Sequence, residues 1–122
     1  MRIVFACLLL AHAFAHLVGF FGAFRLAKQI PYKTTILDGS IDVGDIGVKL
    51  MGLMWLAIGL AIAVAGVAAL IDTSWWKLLT ISTISASFVM CLLEWPLAKV
   101  GAIIDLVVLA GVLLGARVAW GG

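Results

Sequence analysis

Charged residues are scarce in this 122-residue chain, which has 8 Lys and Arg and 6 Asp and Glu. They make up 11% of the sequence, against about 25% in ordinary soluble domains. The formal net charge is only +2, and the basic residues are scattered rather than clustered as nucleic-acid binding requires. The composition therefore excludes a soluble globular domain and sets nucleic acid aside as a partner.

Cysteine and proline are equally rare, with 2 of each. Cys7 and Cys91 lie inside apolar runs at different estimated depths, so we predict small core residues rather than a disulfide or a metal finger. The sequence also lacks a nucleophile elbow, a phosphate-cradling loop and a dinucleotide fingerprint. These absences argue against hydrolysis of soluble substrates and against nucleotide-driven work.

Hydrophobic residues make up 66% of the chain and fall into four runs. Each run is near the ~20 residues that cross ~30 Å of hydrocarbon. We therefore predict an all-α integral membrane protein of the cell membrane, a multi-pass antiparallel four-helix bundle forming a single domain over residues 1–122. The predicted spans are 3–24, 48–71, 75–95 and 97–118, and residues 25–47 form a polar connection.

The first run is also similar to a signal peptide, because Arg2 precedes it and Ala11-His12-Ala13 is similar to a cleavage site. The apolar run continues through Phe24, however, so we predict an uncleaved transmembrane helix. Basic residues are more frequent near the first and third connections, which favours a cytoplasmic location for both.

The polar connection contains Asp38-Gly39-Ser40-Ile41-Asp42, which is similar to the start of a calcium loop. Val43 and Lys49 stand where such a loop needs glycine and a bidentate acid. We favour instead a helix N-cap at Asp42 or Asp45, and a second N-cap at Ser74 before the third helix.

Polar residues of different helices share one level in the middle of the predicted membrane. A rise of ~1.5 Å per residue puts His16 and Asp105 at roughly 20 Å, and Ser87 and Gly59 at roughly 18 Å. An aspartate at this depth costs about 2.5–3.5 kcal/mol, so it is expected to face the bundle and to be paired or protonated. His16 is its predicted partner.

Further polar residues extend this level along the helices. His12 lies one turn from His16, and Glu94 ends a polar stripe on the third helix, where we expect it to pair with Lys99. For acid–base chemistry we predict Asp105, His16, His12 and Glu94. The predicted ligand-binding residues are His16, Gly59, Ser87, Cys91, Trp55 and Asp105.

Several functions fit these residues. The leading hypothesis is an accessory or binding subunit that holds a lipophilic molecule, such as a quinone or a lipid, in the polar pocket. The alternatives are a membrane enzyme doing acid–base chemistry on a lipophilic substrate, proton or ion transport, and a structural pair that fixes helix register. A metal site at His12 and His16 is less favoured, because His12-Ala13-Phe14-Ala15-His16 lacks the glutamate of metalloproteases.

The second helix carries Gly52, Gly59 and Gly66, spaced so that all three lie on one face. Small residues let a neighbouring backbone or a ligand come close in a membrane. Four spans bury little protein surface, so we expect a homo-oligomer or a partner membrane subunit in addition to the lipid bilayer.

The sequence contains the paired histidines His12 and His16 and a Lys99-Val100-Gly101 segment that leads to Asp105-Leu106. It also contains Gly19-Phe20, Leu53-Met54-Trp55-Leu56, Trp75-Trp76 and Trp95. In these features it resembles the small DoxX-like four-helix membrane proteins. This resemblance spans most of the chain and implies a four-helix fold and a place beside quinone-linked redox enzymes, as in the thiosulfate:quinone oxidoreductase assembly. Relatives often have Asn at the position of Asp105, so the resemblance does not imply a catalytic carboxylate.

Overall fold

A computed structural model describes residues 2–95 and 97–115, and this part of the chain is mostly helical, as predicted. The helices are α1 (Arg2–Ala23), α2 (Gly44–Leu70), α3 (Trp76–Leu93) and α4 (Lys99–Gly115). Between α1 and α2 lie two short strands, β1 (Thr35–Ile36) and β2 (Ile41–Asp42), which pair antiparallel.

Three of the helices are long and apolar enough to cross a membrane: α1, α2 and α3 have mean hydropathies of 2.2, 2.4 and 1.6 over their most apolar windows. Large apolar side chains cover their outer surfaces, for example Phe14 (76% exposed) and Leu60 (60% exposed). An outer surface of this kind suits hydrocarbon better than water. α4 lies within the predicted fourth span, 97–118, whose last residues, 116–118, are outside the described residues.

The glycine face of α2 packs against α1 within the same chain. A Cβ built at Gly59 would lie 2.8 Å from His16 Cβ, and one built at Gly66 would lie 2.9 Å from Leu10 Cγ. Only glycine allows the two backbones to approach this closely. The contacts run in opposite directions along the two helices, so α1 and α2 are antiparallel.

Arg2 closes one end of this helix pair. Its guanidinium donates hydrogen bonds to the carbonyl oxygens of Ala69 (2.6 Å) and Leu70 (2.9 Å), and lies 3.6 Å from the carboxylate of Asp72. These carbonyls are among the last of α2 and have no partner within the helix. A cation there also suits the helix dipole.

The apolar core lies between the helices near this end. It is formed by side chains from all four helices, which include Leu9, Ile62, Ile84, Val108 and Val112, each at most 1% exposed. α3 follows α2 and α4 packs on α3 in turn. The core holds the four helices together beside the polar level described below.

Both predicted N-caps were wrong. α2 begins at Gly44, so the helix starts before the predicted span 48–71, and its N-cap is Val43, with no side-chain cap bond. Asp42 instead accepts a hydrogen bond from the Gly44 amide (2.9 Å) with its carboxylate. The N-cap of α3 is Trp75 rather than Ser74.

The polar connection folds back over the end of the helices where α1 and α3 finish. The Leu37 amide donates to the carbonyl of Leu93 at the end of α3 (2.8 Å). Tyr32 donates a hydrogen bond to Asp45 of α2, and Arg25 lies 3.9 Å above the Tyr32 ring. The segment Asp38-Gly39-Ser40-Ile41-Asp42, whose similarity to a calcium loop was set aside above, forms the turn and second strand of a small hairpin.

Candidate functional site

Asp105 is fully buried and lies at the centre of a hydrogen-bond network between three helices. One carboxylate oxygen lies 2.6 Å from Nε2 of His12 on α1, and the other lies 2.8 Å from the Ser87 hydroxyl on α3. The thiol of Cys91, one turn after Ser87, lies 3.6 Å from the same second oxygen. A buried carboxyl group requires such partners, because an unpaired one is costly in an apolar interior.

His16 extends the network to α2. Its Nε2 lies 2.9 Å from the Ser87 hydroxyl, and its Nδ1 lies 3.3 Å from the carbonyl oxygen of Trp55. A carbonyl oxygen only accepts hydrogen bonds, so Nδ1 carries a proton. The ring also contacts the Trp55 indole edge-on, with 4.9 Å between centroids. These contacts fix the tautomer and the orientation of His16 when it is neutral.

The predicted direct pairing of Asp105 with His16 was wrong, because His12 holds that position and His16 reaches the carboxylate only through Ser87. The two histidines lie one turn apart, and their rings are 5.1 Å apart and nearly perpendicular. A turn of helix rises only ~5.4 Å, so both histidines lie near the predicted level of Asp105. Both rings are buried, as expected from their shared face.

Only one nitrogen of this network has no hydrogen-bond partner within residues 2–95 and 97–115. It is Nδ1 of His12, a buried atom on a side chain that is 5% exposed. Buried polar atoms are nearly always paired, and each exception calls for an explanation. His12 also lines the cavity described next, so a molecule in that cavity is a candidate partner.

A cavity of about 410 Å³ lies beside the network and extends to the end of the helices covered by the polar connection. His12, His16 and Cys91 line its inner end, and Tyr32, Lys33 and Glu94 line its outer end. Most of the wall between them is apolar and includes Ala15, Val18, Met51, Trp55, Val100 and Ile104. A cavity of this size, apolar with few polar groups, is typical of small-molecule sites.

Glu94 lies apart from the network. It follows the last residue of α3, and burial raises the pKa of its carboxyl group while the nearby Lys33 ammonium lowers it. No ion pair joins it to Lys99 among the described residues, so the predicted Glu94–Lys99 pair is not formed. No described hydrogen bond links Cys91 to Glu94, although both residues line the cavity.

The structure therefore brings five of the predicted site residues into direct contact: His12, His16, Ser87, Cys91 and Asp105. Trp55 contributes its carbonyl and its ring, and Gly59 supplies the space for His16. Within the described chain, no group of three or more His, Cys, Asp or Glu side chains is arranged to hold a metal ion.

Sequence reasoning missed Tyr32 and Lys33 as residues of the cavity wall. Both belong to the polar connection, whose path over the helix ends is set by long-range contacts such as Leu37 to Leu93. The only sequence signal was Pro31, which marks a break in the chain without indicating its direction.

Comparison with protein-family models, with curated proteins and with solved structures gave no match to this chain.

Proposed function

We propose that this chain is a multi-pass membrane protein, a four-helix bundle with α4 as its fourth span, that binds a lipophilic molecule as an accessory or binding subunit. The polar group of that molecule, such as a quinone-type headgroup, would occupy the inner end of the cavity. The observation that carries the proposal is that His12, whose buried Nδ1 has no partner among the described residues, is one of the residues that line an apolar cavity. The resemblance to DoxX-like proteins, which implies quinone-linked partners, agrees with it.

The shape of the cavity supports a ligand that arrives from the bilayer. α1 and α4 meet where Phe5 packs on Gly111 and where His12 bonds Asp105. Beyond these contacts the cavity lies between the two helices, and its lining residues Val18 and Val100 are 53% and 62% exposed. Side chains that line a cavity and are also half exposed mark an opening, so a lipophilic molecule could enter sideways between α1 and α4.

The experiment compares two tryptophan substitutions on α1 that differ by one turn. Ala15 lines the cavity and Ala11 does not, and both are exposed on the same helix. Native mass spectrometry in mild detergent would follow saturable binding of menadione and menadiol, together with any co-purified molecule. We expect Ala15→Trp to abolish binding and Ala11→Trp to retain it. Wild-type protein that binds neither probe and carries no molecule would contradict the proposal.

A second function, acid–base chemistry on a lipophilic substrate, is favoured by the continuous contacts from His12 through Asp105 and Ser87 to His16. Such a chain can relay a proton, and membrane-buried ionisable groups commonly do so. Asp105→Asn distinguishes the two functions. The amide can replace the hydrogen bonds of a binding site, but it cannot take part in proton transfer.

A further inference from the structure

The number of exchangeable protons in the network determines whether Nδ1 of His12 can donate or accept a hydrogen bond. Four contacts run in series: Trp55 carbonyl to His16, His16 to Ser87, Ser87 to Asp105, and Asp105 to His12. Each contact joins two electronegative atoms at 3.3 Å or less and needs one shared proton to be attractive. The complete chain therefore uses four protons.

Apart from the Cys91 thiol, which brings its own proton to its contact with Asp105, a network without net charge contains these four protons and no more. A neutral imidazole, a serine hydroxyl and a protonated carboxyl group carry one exchangeable proton each. The acidic proton can lie on Asp105 or on His16 with the same total, whereas a doubly protonated His12 paired with Asp105 would leave one of the four contacts without a proton. Net neutrality is strongly favoured in an apolar interior. All four protons are then held in the contacts, and none is left for Nδ1 of His12.

Nδ1 of His12 is therefore a bare lone pair, which accepts hydrogen bonds and cannot donate them. A ketone or quinone carbonyl is also only an acceptor, so it would face this nitrogen without a proton between them. A hydroxyl group supplies the missing proton. Lys33, which carries an ammonium group, lines the other end of the cavity.

Resting on the function proposed above, we propose that the cavity selects hydroxyl-bearing headgroups, phenols and hydroquinols, over the corresponding quinones. The hydroxyl donates to Nδ1 of His12, and the aromatic ring lies in the apolar part of the cavity beside Trp55. Between a quinone and its hydroquinol, the site prefers the hydroquinol because of hydrogen bonding alone, with no electron transfer involved.

The test uses menadiol, menadione and menadiol dimethyl ether, which share one bicyclic ring and differ in their donors. Binding to the wild-type protein in nanodiscs is measured anaerobically by competition. We expect menadiol to bind about tenfold more tightly than either of the others. Its hydroxyl donates a hydrogen bond to Nδ1 of His12, whereas menadione and the dimethyl ether leave this acceptor unpaired. The preference is expected to disappear in His12→Phe. It is expected to persist in Asp105→Asn and in Lys33→Met.

A second measurement does not depend on any variant. Nitrogen-15 NMR of histidine-labelled wild-type protein reports which ring nitrogens carry protons, and we expect the Nδ1 of one histidine to be unprotonated and to shift when menadiol is added. Menadione binding as tightly as menadiol, or a protonated Nδ1 on both histidines, would overturn the inference and leave the binding function standing. Absence of saturable binding by all three compounds would overturn both.

Discussion

At the scale of single residues, the site depends on hydrogen bonds that a neutral side chain can reproduce. Asp105 accepts from His12 with one oxygen and contacts Ser87 with the other. An asparagine has the same shape, with a carbonyl oxygen for His12 and an amide donor for Ser87. The negative charge of a carboxylate is therefore not required for these contacts.

We predict that Asp105→Asn lowers the free energy of unfolding by less than about 1 kcal/mol, whereas Asp105→Leu lowers it by about 2 kcal/mol or more. The larger loss arises because Leu leaves His12 Nε2 without its partner and removes one of the two partners of Ser87, and hydrogen bonds in membrane proteins are worth about 0.6–1.7 kcal/mol each. Unfolding in detergent mixtures, followed by circular dichroism, measures both values. Equal losses in the two variants would show that the charge itself stabilises the fold.

The identity of the residues at this site was largely predictable, but their pairing was not. Helix rise alone was enough to put Asp105, Ser87 and the histidines near one level, since depth depends only on residue number. The choice between His12 and His16 depends on the rotation and tilt of α1 against α4. Those are set by packing contacts such as Phe5 against Gly111, which no local pattern reveals.

At the scale of helices, α1 and α2 form the framework that holds the histidines. Gly59 lies directly against His16, so its lack of a side chain determines how deep the imidazole sits. The glycine spacing in α2 predicted a close-packed face. The structure shows that α1 of the same chain occupies it, so this face gives no support for self-association.

We predict that Gly59→Ala costs about 1–3 kcal/mol, as overpacking does elsewhere. The added Cβ would lie 2.8 Å from His16 Cβ and 3.3 Å from the Ala13 carbonyl oxygen, so α1 must move away from α2. Ala57→Leu, on an exposed position of the same helix, is the control and is expected to change stability by less than about 0.5 kcal/mol. Thermal unfolding in detergent compares them, and similar melting temperatures would contradict this view of the interface.

The connection between α1 and α2 was the least predictable element. Its two strands have two residues each, too short for an alternating pattern. They pair because Leu37 and Asp38 adopt positive φ angles of 52° and 56° beside Gly39, a turn geometry that non-glycine residues adopt rarely. Sequence composition identified a polar connection and gave no sign that it covers the outer end of the cavity.

At the scale of the whole molecule, Glu94 links stability to pH. Burial raises the pKa of this carboxyl group above its usual value of 4.5 in spite of the opposing effect of Lys33. The folded state therefore favours the protonated form. The resulting stabilisation is fully present below about pH 4.5 and is lost as the pH rises through the folded-state pKa.

We predict that Glu94→Gln weakens the decline in stability above about pH 4.5, because the glutamine stays uncharged throughout. Melting temperatures measured from pH 4 to pH 8 in detergent would test this. Asp38→Asn, at an exposed position of the connection, is the control and is expected to follow the wild-type profile. An unchanged profile in Glu94→Gln would show that other groups dominate the pH dependence.

Arg2 at the start of α1 binds the end of α2, and this contact suggests an order in which the parts of the site come together during synthesis. Polar contacts join α1 and its following connection to α2 at both ends of the helix pair. Arg2 donates to the last carbonyls of α2, and Tyr32 donates to Asp45 near its start. This helical hairpin can thus enter the bilayer as one unit with both histidines in place. The carboxyl group arrives only with α4, the last helix among residues 2–95 and 97–115. The polar network is therefore completed only after the two histidines have been placed.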